Sequence, residues 1–217
     1  MTRPPVETRA ETRDRLLLAI LPHVAFDGWT DRALAAGARD AGLPEIAVER
    51  FFPGGVKEVV AHFGDWADRW MAAALAGHDL AALRLRERVA LAVRLRLEAL
   101  APHREAVRRA FAWLALPTNA PRAARALWRT VYAIWYAAGD RAADFGFYTK
   151  RALLAGVVSA TTLYWLEDSS DGHAATWAFL DRRIADVMRI PALKGRIERL
   201  AARLPDPFRI LRAARER

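Results

Sequence analysis

Residues 35–52 read AAGARDAGLPEIAVERFF. Small and apolar residues run into Asp40-Ala41-Gly42-Leu43, which reads as a turn, and Pro44 opens a second run. Proline suits the first helical position, because the N–H it lacks has no partner there. The spacing predicts a helix-turn-helix, with Thr30 capping a helix over 31–39 and a third helix over 44–51. A helix over 12–25 precedes them, with Leu16, Leu17, Ile20, Leu21 and Val24 at helical spacing and Pro22 as a candidate kink. The second helix of such a unit usually enters the DNA major groove. Here it offers Glu45, Glu49 and Arg50. Phosphate contacts need Lys and Arg, and base edges are read mostly by Arg, Lys, Asn, Gln, Ser or Thr. The geometry of a DNA reader is present without its chemistry.

Outward from this unit the chain continues as helix. Pro53-Gly54-Gly55 breaks it, and helices are expected over 56–77, 80–100, 106–114, 121–138, 148–167 and 174–189. The 148–167 segment is apolar on most sides, which predicts a central, buried helix. The expected architecture is all-α, a bundle of about nine or ten helices. Residues 1–10 form an N-terminal extension, 11–53 the helix-turn-helix part, 54–190 the bundle and 191–217 a basic amphipathic segment.

The 217 residues contain no cysteine, which excludes disulfides and thiolate chemistry. The formal charge is +9, but residues 189–217 hold nine basic and three acidic residues, so most of the excess sits in the tail. The N-terminus lacks the apolar region of a secretory signal, and its acids argue against a mitochondrial transit peptide. No charge-free apolar stretch of about 18 residues predicts a membrane span. His23, His62, His78, His103 and His173 are scattered without metal-ligand spacing. Phosphate-binding glycine loops and nucleophile motifs are absent as well. No catalytic residue, metal or cofactor is expected, although a cofactorless enzyme using carboxylates stays open.

The first three helices resemble the DNA-binding part of TetR-family repressors, down to Phe51-Phe52-Pro53-Gly54. A second resemblance lies beyond residue 100, in LPTNAP (116–121), IWYAAGDRAADFGFYTKRALLA (134–155) and YWLEDSSDGHAATWAFLDRRI (164–184). These stretches are similar to the ubiquinone-biosynthesis lipid-binding family known as the ninth Coq protein. GWTDRALAAGARDAGL and KEVVAHF in the front half agree, so the likeness spans roughly 11–190. It implies a TetR-like fold without DNA binding and a non-catalytic accessory protein. Such a protein holds an isoprenoid or quinone lipid and delivers it to a membrane-associated di-iron hydroxylase, the seventh Coq protein.

On the helices that would wall the lipid pocket, the candidate contacts are Trp113, Trp128, Tyr132, Leu153, Val157 and Thr161. Each aromatic serves equally well as core, so the pocket rests on the family likeness. The family's partner patch maps onto Ile134, Trp135, Asp144, Phe145, Phe147 and Tyr148, with Phe147 where a Trp occurs. Asp144 serves equally as a helix cap. The tail is the main departure. Leu200, Leu204, Phe208, Ile210 and Leu211 lie among arginines including Arg209 and Arg212, a pattern suited to an anionic membrane surface. Pro205 and Pro207 argue against one continuous inserting helix. The expected location is the bacterial cytoplasm, peripheral to the inner membrane, and a homodimer is expected from the TetR likeness. The alternative is a ligand-responsive TetR-like repressor.

Overall fold

The computed structural model describes residues 7–139 and 147–201, with side chains described over 7–139 and 150–187. Nine α-helices, joined in part by short 3-10 turns, make up the described residues, which contain no strand.

Helix α1 (Arg9–Asp27) begins three residues earlier than the apolar spacing suggests. The reason is a capping box. Glu11 N–H donates to Thr8 Oγ1 (3.2 Å), and Thr8 N–H donates to Glu11 Oε2 (2.7 Å). Leu16, Leu17, Ile20, Leu21 and Val24 form its buried stripe. Pro22 lies inside α1 without ending it. Helix α2 (Asp31–Asp40) opens on Thr30, whose hydroxyl accepts from Ala33 N–H.

The turn at 40–43 is a Schellman motif. Leu43 N–H donates to Ala38 C=O and Gly42 N–H to Arg39 C=O, both at 2.9 Å. Gly42 sits at φ +67°, a conformation costly for any residue with a Cβ. Helix α3 (Ile46–Phe51) starts two residues later than expected. Pro44 lies before it, and its carbonyl accepts from Ala47 N–H (2.8 Å), so the proline opens a tight turn rather than the helix.

Helix α4 (Val56–Ala76) carries this unit into the bundle. The expected helix over 80–100 is two pieces, a 3-10 turn at Leu80–Ala82 and α5 (Leu85–Leu100). Asp79 caps the turn by accepting from Ala81 N–H. Glu87 folds back to accept from Arg84 N–H and starts α5 afresh. Helices α6 (Arg104–Leu114), α7 (Ala120–Ala137) and α8 (Phe147–Glu167) follow within one or two residues of their expected bounds.

Two expectations are corrected. Helix α8 is not enclosed: α7 and α9 are its principal neighbours, and Leu163 and Tyr164 are exposed. It sits at the outside of the bundle, where one face stays open. Helix α9 (Ala174–Ala201) continues through Pro191 instead of stopping at 189. A proline inside a helix removes one hydrogen bond, and the hydrogen-bonded turns on either side maintain the helix.

The helix-turn-helix unit and the bundle share one core. Trp29 Nε1 donates to Ala106 C=O (3.3 Å) on α6. Arg13 pairs with Glu58 (2.8 Å), and His62 meets Asp14 (2.7 Å). At the far end, Arg104 donates to the carbonyls of Trp165 and Asp168. The Asp168 carboxylate caps α9, accepting from Ser170 N–H and from Thr176 N–H and Oγ1. The Ser170 hydroxyl first, then the Thr176 hydroxyl and the two N–H donors, hold its carboxyl far below the usual carboxylate range.

Candidate functional site

A cavity of about 620 Å³ opens between α4, α6 and α7, with α5 and α8 behind them. This lies within the range of small-molecule pockets, about 300–1,000 Å³. It exists because small residues meet there: Ala61 and Gly64 of α4, Ala110 of α6, and Ala123 and Ala126 of α7. Side chains that stop at Cβ cannot close the space between helices set apart by their larger neighbours. The deep wall is apolar, formed by Val60, Phe63, Leu100, Val107 and Val158, all buried.

The polar lining falls into two groups. Arg96 and Arg129 converge on the buried carboxylate of Asp68, with Arg96 Nε at 2.7 Å and Arg129 Nε at 3.4 Å. The Thr130 hydroxyl donates to the same carboxylate at 3.0 Å. Arg129 also donates to Ala61 C=O (3.0 Å) across α4. Gly64 makes that crossing possible, since a Cβ there would stand 2.8 Å from Arg129 Nη2. The second group lines the mouth: Lys57, Arg122 and Arg125, all exposed. Arg122 donates to Thr118 C=O and Asn119 Oδ1. Lys57 and Arg125 have no hydrogen-bond or ion-pair partner among the described residues. Among those residues no group of three or more His, Asp or Glu could hold a metal ion, and no helix is long and apolar enough to cross a membrane.

Of the six candidate lipid contacts, Trp113 lines this cavity and the other five do not. Trp128 and Tyr132 lie on the outer face of α7, about half exposed. Leu153 is half-buried, and Val157 and Thr161 are buried, one residue from the lining positions Val158 and Thr162. The cationic mouth was missed. Its signal was present in the recurrence of Arg122, Arg125 and Arg129 at helical spacing.

The expected partner patch also requires a correction. Ile134 is fully buried, because Val131 and Ile134, with the cap residue Ala138, form the inward stripe of α7. It presents nothing to a partner. Trp135 is half-buried against the core. Asp144 and Phe145 lie outside the described residues, as do the side chains of Phe147 and Tyr148 in the first turn of α8. The outward face of α7 carries Trp128, Tyr132 and Tyr136, and the last two rings stack at 6.3 Å. Among the tail residues, Leu200 falls in the last turn of α9. Leu204, Phe208, Arg209, Ile210, Leu211 and Arg212 lie outside the described residues.

A family model described as COQ9 matches residues 120–191. The mitochondrial ubiquinone biosynthesis protein COQ9 of Drosophila melanogaster is 35% identical over 190 residues, covering 86% of this chain and 58% of the relative. Its Homo sapiens counterpart is 34% identical over 191 residues, covering 85% and 60%. The chain is similar to COQ9 proteins along most of its length. It spans about three fifths of the length of these COQ9 relatives. The fold agrees with a solved TetR transcriptional regulator from Nitrosomonas europaea ATCC 19718, with a TM-score of 0.66 over 81% of this chain and 97% of that one. At 20% identity that likeness concerns the fold alone. The COQ9 relatives are mitochondrial proteins, which overturns the expected location at a bacterial inner membrane.

Proposed function

We propose that this COQ9-like protein is a non-catalytic, lipid-binding accessory factor of ubiquinone biosynthesis. It holds an isoprenoid or quinone lipid in the cavity between α4, α6 and α7 and presents it to a membrane-associated di-iron hydroxylase, the seventh Coq protein. The observation that carries the proposal is an apolar cavity of about 620 Å³ in a chain whose relatives are named for ubiquinone biosynthesis. The proposal includes a homodimer and an anionic membrane surface met by the basic segment 191–217. Nucleic acid is not among the proposed partners, because the exposed residues of α3 and its cap are Glu45, Ile46, Glu49 and Arg50, with a net charge of −1. Glu45 spends its charge on Arg39, and Ile46 gives a duplex nothing to accept or donate.

The test has two arms, extraction and mass spectrometry of the purified protein and analysis of quinone intermediates in cells lacking it. The expected result is a co-purifying polyprenyl or quinone lipid, with accumulation of an unhydroxylated intermediate. Protein free of lipid, together with unchanged intermediates, refutes the proposal.

A further inference from the structure

We infer that the cavity selects amphiphiles with an acidic headgroup, a phosphate or carboxylate held at the mouth by Lys57, Arg122 and Arg125 with the chain running inward. The inference rests on the lipid-binding proposal above and adds the chemistry of the head, which within that cargo favours an isoprenoid acid or phosphate over a neutral quinone.

Five cationic side chains line the cavity, Lys57, Arg96, Arg122, Arg125 and Arg129, against one carboxylate, Glu58. Glu58 is already engaged, paired with Arg13 and accepting from Gly54 N–H. Asp68 occupies Arg96 and Arg129 from behind the wall. The charge left over therefore stands at the mouth. Lys57 projects from the first turn of α4, and Arg122 and Arg125 from the first turns of α7. Lys57 and Arg125 meet no counter-charge among the described residues. The start of α7 adds the positive end of its helix dipole to the same place.

The mouth is cationic, whereas Val60, Phe63, Leu100, Val107 and Val158 form an apolar deep wall. A ligand complementary to both ends carries acid on one side and hydrocarbon on the other. A neutral head leaves the mouth cations with water alone. An acidic head gains charge-assisted hydrogen bonds, which are about twice as strong as neutral ones.

The experiment uses the full chain, stripped of lipid, and displacement of the neutral dye Nile red. Hexadecyl phosphate, hexadecanoic acid, hexadecan-1-ol and inorganic phosphate are the competitors. Both acids are expected to bind about tenfold more tightly than the alcohol, the effect of one charge-assisted hydrogen bond in a partly exposed site. In the Lys57→Glu, Arg125→Glu double variant that preference disappears, and an unchanged far-UV circular dichroism melt certifies the fold. Equal affinity of wild type for acid and alcohol overturns the headgroup inference and leaves the lipid cavity standing. Displacement by inorganic phosphate as effective as by hexadecyl phosphate identifies a bare anion site and also overturns it. Binding of none of the amphiphiles overturns the cavity proposal and this inference together.

Discussion

Asp68 is the sharpest place to perturb this fold. Its side chain is 5% exposed and accepts from Arg96, Arg129 and Thr130, tying α4 to α5 and α7 behind the cavity wall. Asp68→Ala leaves two guanidinium groups aimed at a site without charge. Breaking a buried ion pair by removing one partner costs about 3–5 kcal/mol. Arg96 is 13% exposed and carries most of that penalty, whereas Arg129 at 37% is partly rehydrated and contributes less. The expected loss is therefore about 3 kcal/mol, the low end of that range.

For a domain of this size each kcal/mol shifts Tm by about 2–4 °C, so the variant should melt about 6–12 °C lower. Asp68→Asn keeps the shape and one acceptor for Arg96, and should lose about half as much. The assay is urea unfolding followed by far-UV circular dichroism. A double-mutant cycle with Arg96→Met should give a coupling of at least about 1 kcal/mol. A loss below about 0.5 kcal/mol for Asp68→Ala is the level of an ordinary surface substitution and would refute the reasoning.

A Cβ on Gly37 would stand 2.5 Å from Ile20 Cγ1 and 2.6 Å from Ile20 Cα. Gly37→Ala should therefore destabilise by the upper part of about 1–3 kcal/mol in thermal melts. A gain in stability, the usual result of Gly→Ala inside a helix, would mean that α1 and α2 are not in this contact. Burial lowers the pKa of both His62 and His103; for His62, hydrogen bonding to Asp14 works in the opposite direction. A group depressed in the folded state binds more protons unfolded. Its stabilising contribution is complete above the unfolded value, about 6.5, and is lost as pH falls through the lowered folded values. The urea midpoint should fall between about pH 7.5 and pH 5.5, in the window those shifts define. His103→Phe keeps a ring against Phe63 and Trp66 and should flatten part of that slope. An identical midpoint at both pH values would show that the two imidazoles are not buried as described.

Much of this protein was legible along the chain. Stripes such as Leu16, Leu17, Ile20 and Leu21, and punctuation such as Thr30, Gly42 and Pro121, depend only on neighbours within a few residues. The helix start at Thr8 is also readable, as a Thr followed three residues later by Glu, although apolar spacing alone does not see that cap. The COQ9 likeness was likewise carried by local strings, LPTNAP above all.

Other features belong to tertiary structure, because they depend on residues far apart in sequence. Ile134 and Tyr132 are near neighbours on α7, yet one is buried and the other faces water. Helical periodicity separates their faces without saying which one meets the core. Nor does Asp68 announce itself in the sequence. It matters because α5 and α7 bring Arg96 and Arg129 to it across 28 and 61 residues. The cavity is the clearest case. Ala61, Gly64, Ala123 and Ala126 read as ordinary helix-formers and a helical glycine, and only their meeting between α4 and α7 leaves a space. The sequence by itself determined the helices, their caps and the family likeness. Packing decided where volume was left unfilled and which arginines were left without a carboxylate, since both depend on what other helices bring to the same place.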